Sequence, residues 1–231
     1  MELIIPSPFG EGDSRSERGG VLLETPLSPT PVATALLPPH DGEGEARAIP
    51  GDAGVWVFIT ADICAFALFF LLFTVGRVAQ PALYEASRRA LDPNLGLLNT
   101  LILLTSSWFM VRAVQAARRG ERAAISLNLI LAIMVGAGFA VTKAFEYGEK
   151  FSHGISMLTN EFFTYYFVFT GIHFLHFLIG IGALSVCLIK ARAGPLDGKY
   201  VTWIEATGCY WHMVDLLWIV LFPLLYLLRA A

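Results

Sequence analysis

Charge is scarce in this sequence. Only 15% of its 231 residues are Asp, Glu, Lys or Arg, and 55% are hydrophobic, whereas a typical soluble domain is roughly 25% charged and 45–50% apolar. A soluble chain of this length could bury one core but would still need a charged surface around it. Lipid is therefore the expected solvent. Cysteine is also sparse: Cys64, Cys187 and Cys209 lie far apart, each in an apolar stretch, with no CxxC or Cys/His ligand spacing. That argues against a zinc or iron–sulfur site and leaves core packing as the expected role of all three. The N-terminus lacks the basic start and apolar stretch of a signal peptide.

What charge there is falls unevenly. Residues 1–50 hold 8 acidic and 3 basic residues and 8 of the 12 prolines, leaving 11 acidic and 13 basic residues for the rest. Stretches such as Pro26-Leu27-Ser28-Pro29-Thr30-Pro31 and Asp41-Gly42-Glu43-Gly44-Glu45 cannot build a core, so residues 1–50 read as a disordered cytoplasmic tail. The remainder, 51–231, reads as an all-α polytopic membrane bundle of about five helices, since a span needs about 20 mostly apolar residues. Five stretches qualify: Ala53–Gly76, Leu95–Val111, Ile125–Thr142, Phe162–Ile189 and Ala206–Leu228. The third is expected to run on by a turn or more and break near Gly154. The Lys/Arg balance of the short connections favours a cytoplasmic N-terminus and an external C-terminus, eight residues against six.

Several ionisable side chains fall inside these stretches: Asp62, His173, His176, His212 and Asp215. An Asp at a helix centre costs roughly 2.5–3.5 kcal/mol on insertion scales, so such groups face a protein interior and mark function. A rise of 1.5 Å per residue puts Asp62, His173 and Asp215 near the bilayer midplane. His173 and His176 are spaced i, i+3, as are His212 and Asp215, with Glu205 on the stripe of the latter pair; Lys143, Glu146 and Lys150 follow the same spacing near the outer surface. These residues admit four readings. A di-iron bundle could draw on the two histidine pairs, Asp62 and Glu146, although the usual Glu-x-x-His pairs are absent. A centre with two haems and a copper needs more imidazoles than the five histidines here. A stand-alone carrier with a proton relay is a third reading. The fourth is a buried polar network that fixes helix packing, with a pair such as Asp62 and His173.

Two motifs narrow the choice. Phe169-Thr170-Gly171-Ile172-His173-Phe174-Leu175-His176-Phe177-Leu178-Ile179-Gly180 resembles the TGxHxxHxxxG helix of cytochrome c oxidase subunit III, in the haem–copper oxidase superfamily. Glu205-Ala206-Thr207-Gly208-Cys209-Tyr210-Trp211-His212-Met213-Val214-Asp215-Leu216-Leu217-Trp218 resembles that family's ExxxxYWHxVDxxW signature. Glu146-Tyr147 resembles the end of its Q-x-x-E-Y helix, and Leu98-Asn99-Thr100 its LNT segment. The resemblance covers residues ~51–231 and matches the last five helices of the family's seven-helix form. It is similar to the short five-helix members, including the subunit III-like proteins that accompany bacterial nitric oxide reductase. Where the long form has a Ser-Glu pair in the first matching helix, this chain has Ala61 and Asp62.

The resemblance implies a non-catalytic subunit of a respiratory oxidase, supporting aerobic electron transport and proton translocation from a bacterial inner membrane. Haem and copper would reside in partner subunits. The expected partners are the catalytic subunit I and subunit II, or the corresponding nitric oxide reductase subunits, together with membrane lipid and a bound phospholipid; no nucleic acid is expected. Asp62, Glu146, His173, His176, Glu205, His212 and Asp215 would form a packing and proton-handling network.

Overall fold

The computed structural model describes residues 53–228. The tail assigned to residues 1–50 therefore lies outside the described residues. Within them the chain is all-α: α1 (Ala53–Ala79), α2 (Pro81–Arg88), α3 (Pro93–Arg118), α4 (Arg122–Ser152), α5 (Glu161–Ala193), α6 (Gly198–Phe222) and a π-helical turn, Pro223–Leu227. All but α2 and the isolated π turn are long and apolar enough to cross a membrane, giving five spans, the last of which continues α6 through the π turn to Leu227.

Local chemistry sets the helix ends. Asp92, Asn160 and Asp197 are N-caps whose carboxylate or amide oxygens accept from the backbone N–H groups of Asn94, Phe163 and Tyr200. Pro93 fits the first turn of α3, where its missing N–H costs nothing. α3 and α4 each end on a left-handed glycine, Gly120 and Gly154, both at φ 72°. At each, two bonds close the turn: Gly120 N–H to Ala117 and Glu121 N–H to Ala116, then Gly154 N–H to Phe151 and Ile155 N–H to Lys150. The expected break near Gly154 is thus present.

Two stretches differ from the sequence expectation. α3 reaches Arg118 rather than Val111, and Arg112 in its added turns lies over the Trp108 ring at 5.1 Å. The connection 77–94 contains α2, which sits against α5 through buried Tyr84 and Ser87; the Ser87 hydroxyl accepts from Asn160. Burial and the nearby Glu161 carboxylate push the Tyr84 phenol up, so it stays protonated.

α6 is the centre of the bundle. Trp211, Val214, Trp218 and Leu221 are fully enclosed. Lipid is as apolar as leucine, so close packing and interhelical hydrogen bonds hold these helices together rather than transfer out of water. Small residues bring backbones near: Ser106 of α3 donates to the Ala132 carbonyl of α4 at 2.7 Å. Gly180 of α5 faces the Trp211 ring, which a Cβ would approach to 2.7 Å. α1 is attached differently. It buries Ile59, Phe66 and Phe73, and leaves Leu68, Leu71, Leu72, Val75 and Val78 exposed. Its contact stripe is therefore a heptad seam, with Asp62 on it.

One tie closes the end of the bundle opposite Gly120. Lys143, expected near the outer surface, is 2% exposed, and Glu146 is 1% exposed. Lys143 Nζ donates to Glu146 Oε2 at 2.8 Å and to Tyr226 Oη at 3.0 Å; Tyr166 and Tyr226 donate to Glu146 Oε1 at 2.9 and 2.5 Å. The ammonium also lies 4.6 Å from the Trp218 ring centroid. α4, α5, α6 and the π turn meet here. Lys150, also buried, donates to the Ala90 carbonyl at 2.5 Å.

Two outcomes follow for thermal unfolding in mild detergent. Gly180→Ala is expected to destabilise by about 1–3 kcal/mol through overpacking against Trp211. Lys143→Met leaves Glu146 buried and unpaired and is expected to cost about 3–5 kcal/mol, with Lys143→Met/Glu146→Gln recovering most of that loss. A double variant no more stable than Lys143→Met would count against the tie.

Candidate functional site

The seven candidate residues do not form one network. The structure distributes them over separate places, and the pairing differs from the sequence expectation. Asp62 pairs with His176, not His173: Oδ1 lies 3.1 Å from Nε2. Residues three apart on a helix point about 60° apart at 3.6 residues per turn. α1 packs on the His176 side of α5, so the ring one turn further along meets the carboxylate.

His173 is wholly enclosed between Phe139 and Trp218, with ring centroids 5.4 and 5.3 Å away. Neither of its nitrogens has a hydrogen-bond partner among the described residues. It is a packing residue by its surroundings, beside the site rather than in it.

The geometry of the Asp62–His176 pair restricts its protons. His176 Nδ1 lies 2.9 Å from the Ile172 carbonyl, which can only accept. Nδ1 therefore carries hydrogen, and Nε2 faces the carboxyl. A single proton then lies between Asp62 and His176, either as a carboxylic acid donating to Nε2 or as imidazolium donating to carboxylate. Phe58, Phe66 and Tyr210 surround the imidazole, and Tyr210 Oη donates to the His176 carbonyl at 3.1 Å. Both side chains of the pair are about one-tenth exposed. The pair thus has the geometry to hold one proton at the edge of the bundle.

The second place is the α3–α6 seam. Ser107 Oγ lies 2.5 Å from His212 Nδ1, and Asp215 Oδ2 lies 3.8 Å from the same nitrogen. Asp215 is buried, whereas the His212 side chain is 43% exposed. Two helical turns towards the Gly120 end, Glu205 accepts from Arg118 at 2.8 Å. Glu146 belongs to the Lys143 tie and is far from either place in its contacts.

The hydrogen-bonding partners Ser107, Tyr166, Tyr210 and Tyr226 were not singled out from sequence. The tyrosines lie in the last two spans but look there like ordinary aromatic packing; the i, i+3 spacing of Lys143 and Glu146 is a sequence signal, but it does not show their burial. Of the cysteines, Cys187 is buried and Cys209 half-buried, but Cys64 is exposed, so core packing does not describe it. The di-iron ligand set is not assembled. His176 and Asp62, His212 and Asp215, and Glu146 lie in separate contacts, and no three His, Cys, Asp or Glu side chains converge among the described residues.

Residues 48–229 match the family described as Cytochrome c oxidase subunit III. The quinol oxidase subunit 3 of Bacillus subtilis is 30% identical over 181 residues, covering 76% of this chain and 85% of that one. The cytochrome c oxidase subunit 3 of Corynebacterium diphtheriae is 29% identical over 178 residues, covering 76% and 87%. The heme-copper oxidase subunit I+III of Aeropyrum pernix is 30% identical over 182 residues, which is 76% of this chain but only 22% of that protein's length. With five spans, the two polar motif helices side by side and a match of this extent, the chain belongs to the cytochrome c oxidase subunit III family and is a multi-pass membrane subunit of a haem–copper oxidase.

Proposed function

We propose that this chain packs against the catalytic subunit I of a dioxygen-reducing complex that also contains subunit II, in the inner membrane of a bacterium. In this reading it holds the proton-conducting part of subunit I in place and buffers protons for it, with haem and copper in the partner subunits. The observation that carries the proposal is the Asp62–His176 pair, with Oδ1 3.1 Å from Nε2 at a partly exposed edge, where one proton could be shared. Asp62, His176, His212, Asp215 and Glu205 are the groups assigned to proton handling; His173 and Glu146 act through packing. The names of the relatives, all of oxidases, favour dioxygen over nitric oxide as the substrate reduced in the complex.

A cytoplasmic N-terminus is supported by the basic residues at the Gly120 end: Arg118, Arg119, Arg122, Lys190, Arg192 and Lys199. Two of the six basic residues counted for the opposite side, Lys143 and Lys150, are buried in α4, so that side has fewer in its loops. A bound phospholipid is supported at the same end. An apolar groove of about 330 Å³ lies between α1, α5 and α6, bordered by Val55, Ile179 and Trp203. Trp203 also borders a second groove that holds Lys190 and Lys199, where a phosphate headgroup would find positive charge.

Asp62→Ala, assembled into the oxidase, is expected to slow proton uptake and cut the number of turnovers before inactivation several-fold. Asp62→Glu is expected to retain most of both. Unchanged proton uptake and turnover stability in Asp62→Ala would remove the proton role. Replacing Lys190 and Lys199 together with Gln is expected to lower the phospholipid phosphorus retained by the purified complex, and equal retention would count against the groove.

A further inference from the structure

α1 meets the other helices over a narrow stripe. Ile59, Phe66 and Phe73 are buried, while Leu68, Leu71, Leu72, Val75 and Val78 face outward. Apolar contacts of this kind are non-directional, so they hold a helix near its neighbours without fixing its height. The hydroxyls on α1 do not help. Thr60 and Thr74 donate to the Trp56 and Phe70 carbonyls of α1 itself, each at 2.8 Å. Midway along the helix, the polar contact to α5 passes through Asp62, whose Oδ1 lies 3.1 Å from His176 Nε2.

That contact depends on a proton. His176 Nδ1 keeps its hydrogen for the Ile172 carbonyl at 2.9 Å, so Nε2 of the neutral ring is a bare acceptor. With one proton between the partners, either the acid donates to Nε2 or the imidazolium donates to the carboxylate. With none, two acceptors face each other across 3.1 Å. Asp62 Oδ2 is enclosed and has no partner among the described residues, so no donor there offsets the charge of a bare carboxylate. Phe58 and Phe66 border the imidazole and supply none. Among the described residues, two further ionisable groups face the pair from the packed helices. Tyr210 of α6 directs its single hydrogen at the His176 carbonyl, 3.1 Å away. His173 of α5 is enclosed between Phe139 and Trp218.

We infer that the proton between Asp62 and His176 is a latch for α1: with it, α1 is held in register against α5, and without it, α1 is released to slip along the bundle. This rests on the reading of Asp62–His176 as a proton-holding pair and adds that the proton count sets the position of a helix. The consequence is a regulatory one. Drawing the proton from this site loosens one membrane span, and returning it restores the fit.

The test reads the position of α1 directly. Cys64 is exposed on α1, two residues from Asp62, and Leu175 is exposed beside His176 on α5. Nitroxides are placed on Cys64 and on Leu175→Cys, with Cys187→Ser and Cys209→Ser to prevent other labelling. Distances are measured by pulsed electron spin resonance on the full chain in lipid nanodiscs, from about pH 6 to about pH 11, a range that passes the reference values of Asp and His. With Asp62 present, one distance is expected at the lower pH, and a second population displaced by about 5 Å, the rise of one turn, at the upper. Asp62→Asn is expected to hold the first distance throughout, because its amide N–H donates to Nε2 without a titrating proton. Asp62→Leu is expected to show the displaced population at every pH.

A distance that stays fixed to about pH 11 with Asp62 present overturns the latch, whatever the proton uptake of the assembled oxidase. A shift in Asp62→Asn equal to that with Asp62 also overturns it, since another group would then be titrating. If α1 shifts as expected but Asp62→Ala leaves proton uptake by the oxidase unchanged, the buffering role falls and the latch stands.

Discussion

A charged side chain placed in hydrocarbon is costly without its complement, and two contacts of the bundle, at Lys143 and at Asp62, are arranged around that cost. Lys143 is the clearest case. Its ammonium is enclosed, and the structure surrounds it with Glu146, the Tyr226 hydroxyl and the face of Trp218. To bring Tyr226 there, the last span changes from an α-helix to a π turn after Pro223. A π turn adds a residue without a full advance along the axis, and such turns are frequent at functional sites. The end of the chain is thus shaped by a buried cation on α4, far from it in sequence.

The same requirement explains why α1, the least buried span, has a definite position. Its seam is Ile59, Phe66 and Phe73, rings and branched chains that would tolerate a slip along α5 and α6. Asp62 lies on that seam and finds one acceptable partner, His176. A single polar residue among apolar ones sets register at some cost in stability, as a buried Asn does in coiled coils. Gly76, at the far end of the seam, leaves room for the Tyr84 hydroxyl and Glu161, which a Cβ would approach to 2.4 and 2.8 Å. Register at one end and fit at the other place α1 without a large buried area.

Much of this was legible in the sequence. Five apolar runs gave the five spans, and Gly154 gave the end of α4, because hydropathy and left-handed glycine are local signals. α2 was not legible: eight residues between two prolines look like a loop, although Pro81 is a favoured helix start. Nor was the burial of Lys143, since a charge near a span's end ordinarily means the surface. The Asp62 partner was missed by one helical turn. His173 and His176 have the same residue type and nearly the same depth, and only the packing direction of α1 separates them. Depth can be counted from sequence, but azimuth needs the neighbour.

The Asp62–His176 contact also has a history in time. The two residues are separated by 114 positions in the chain, which at a synthesis rate of ~5–20 residues per second is about 6–23 s of translation. Throughout that interval α1 is in the membrane with its acid unmatched, while the α3–α4 hairpin, whose apolar stretches Leu95–Val111 and Ile125–Thr142 carry no charge, can settle at once. The cheapest state for a lone carboxyl in lipid is the neutral acid. The nascent subunit would then bring its own proton into the bilayer, and the arrival of α5 would decide which atom keeps it.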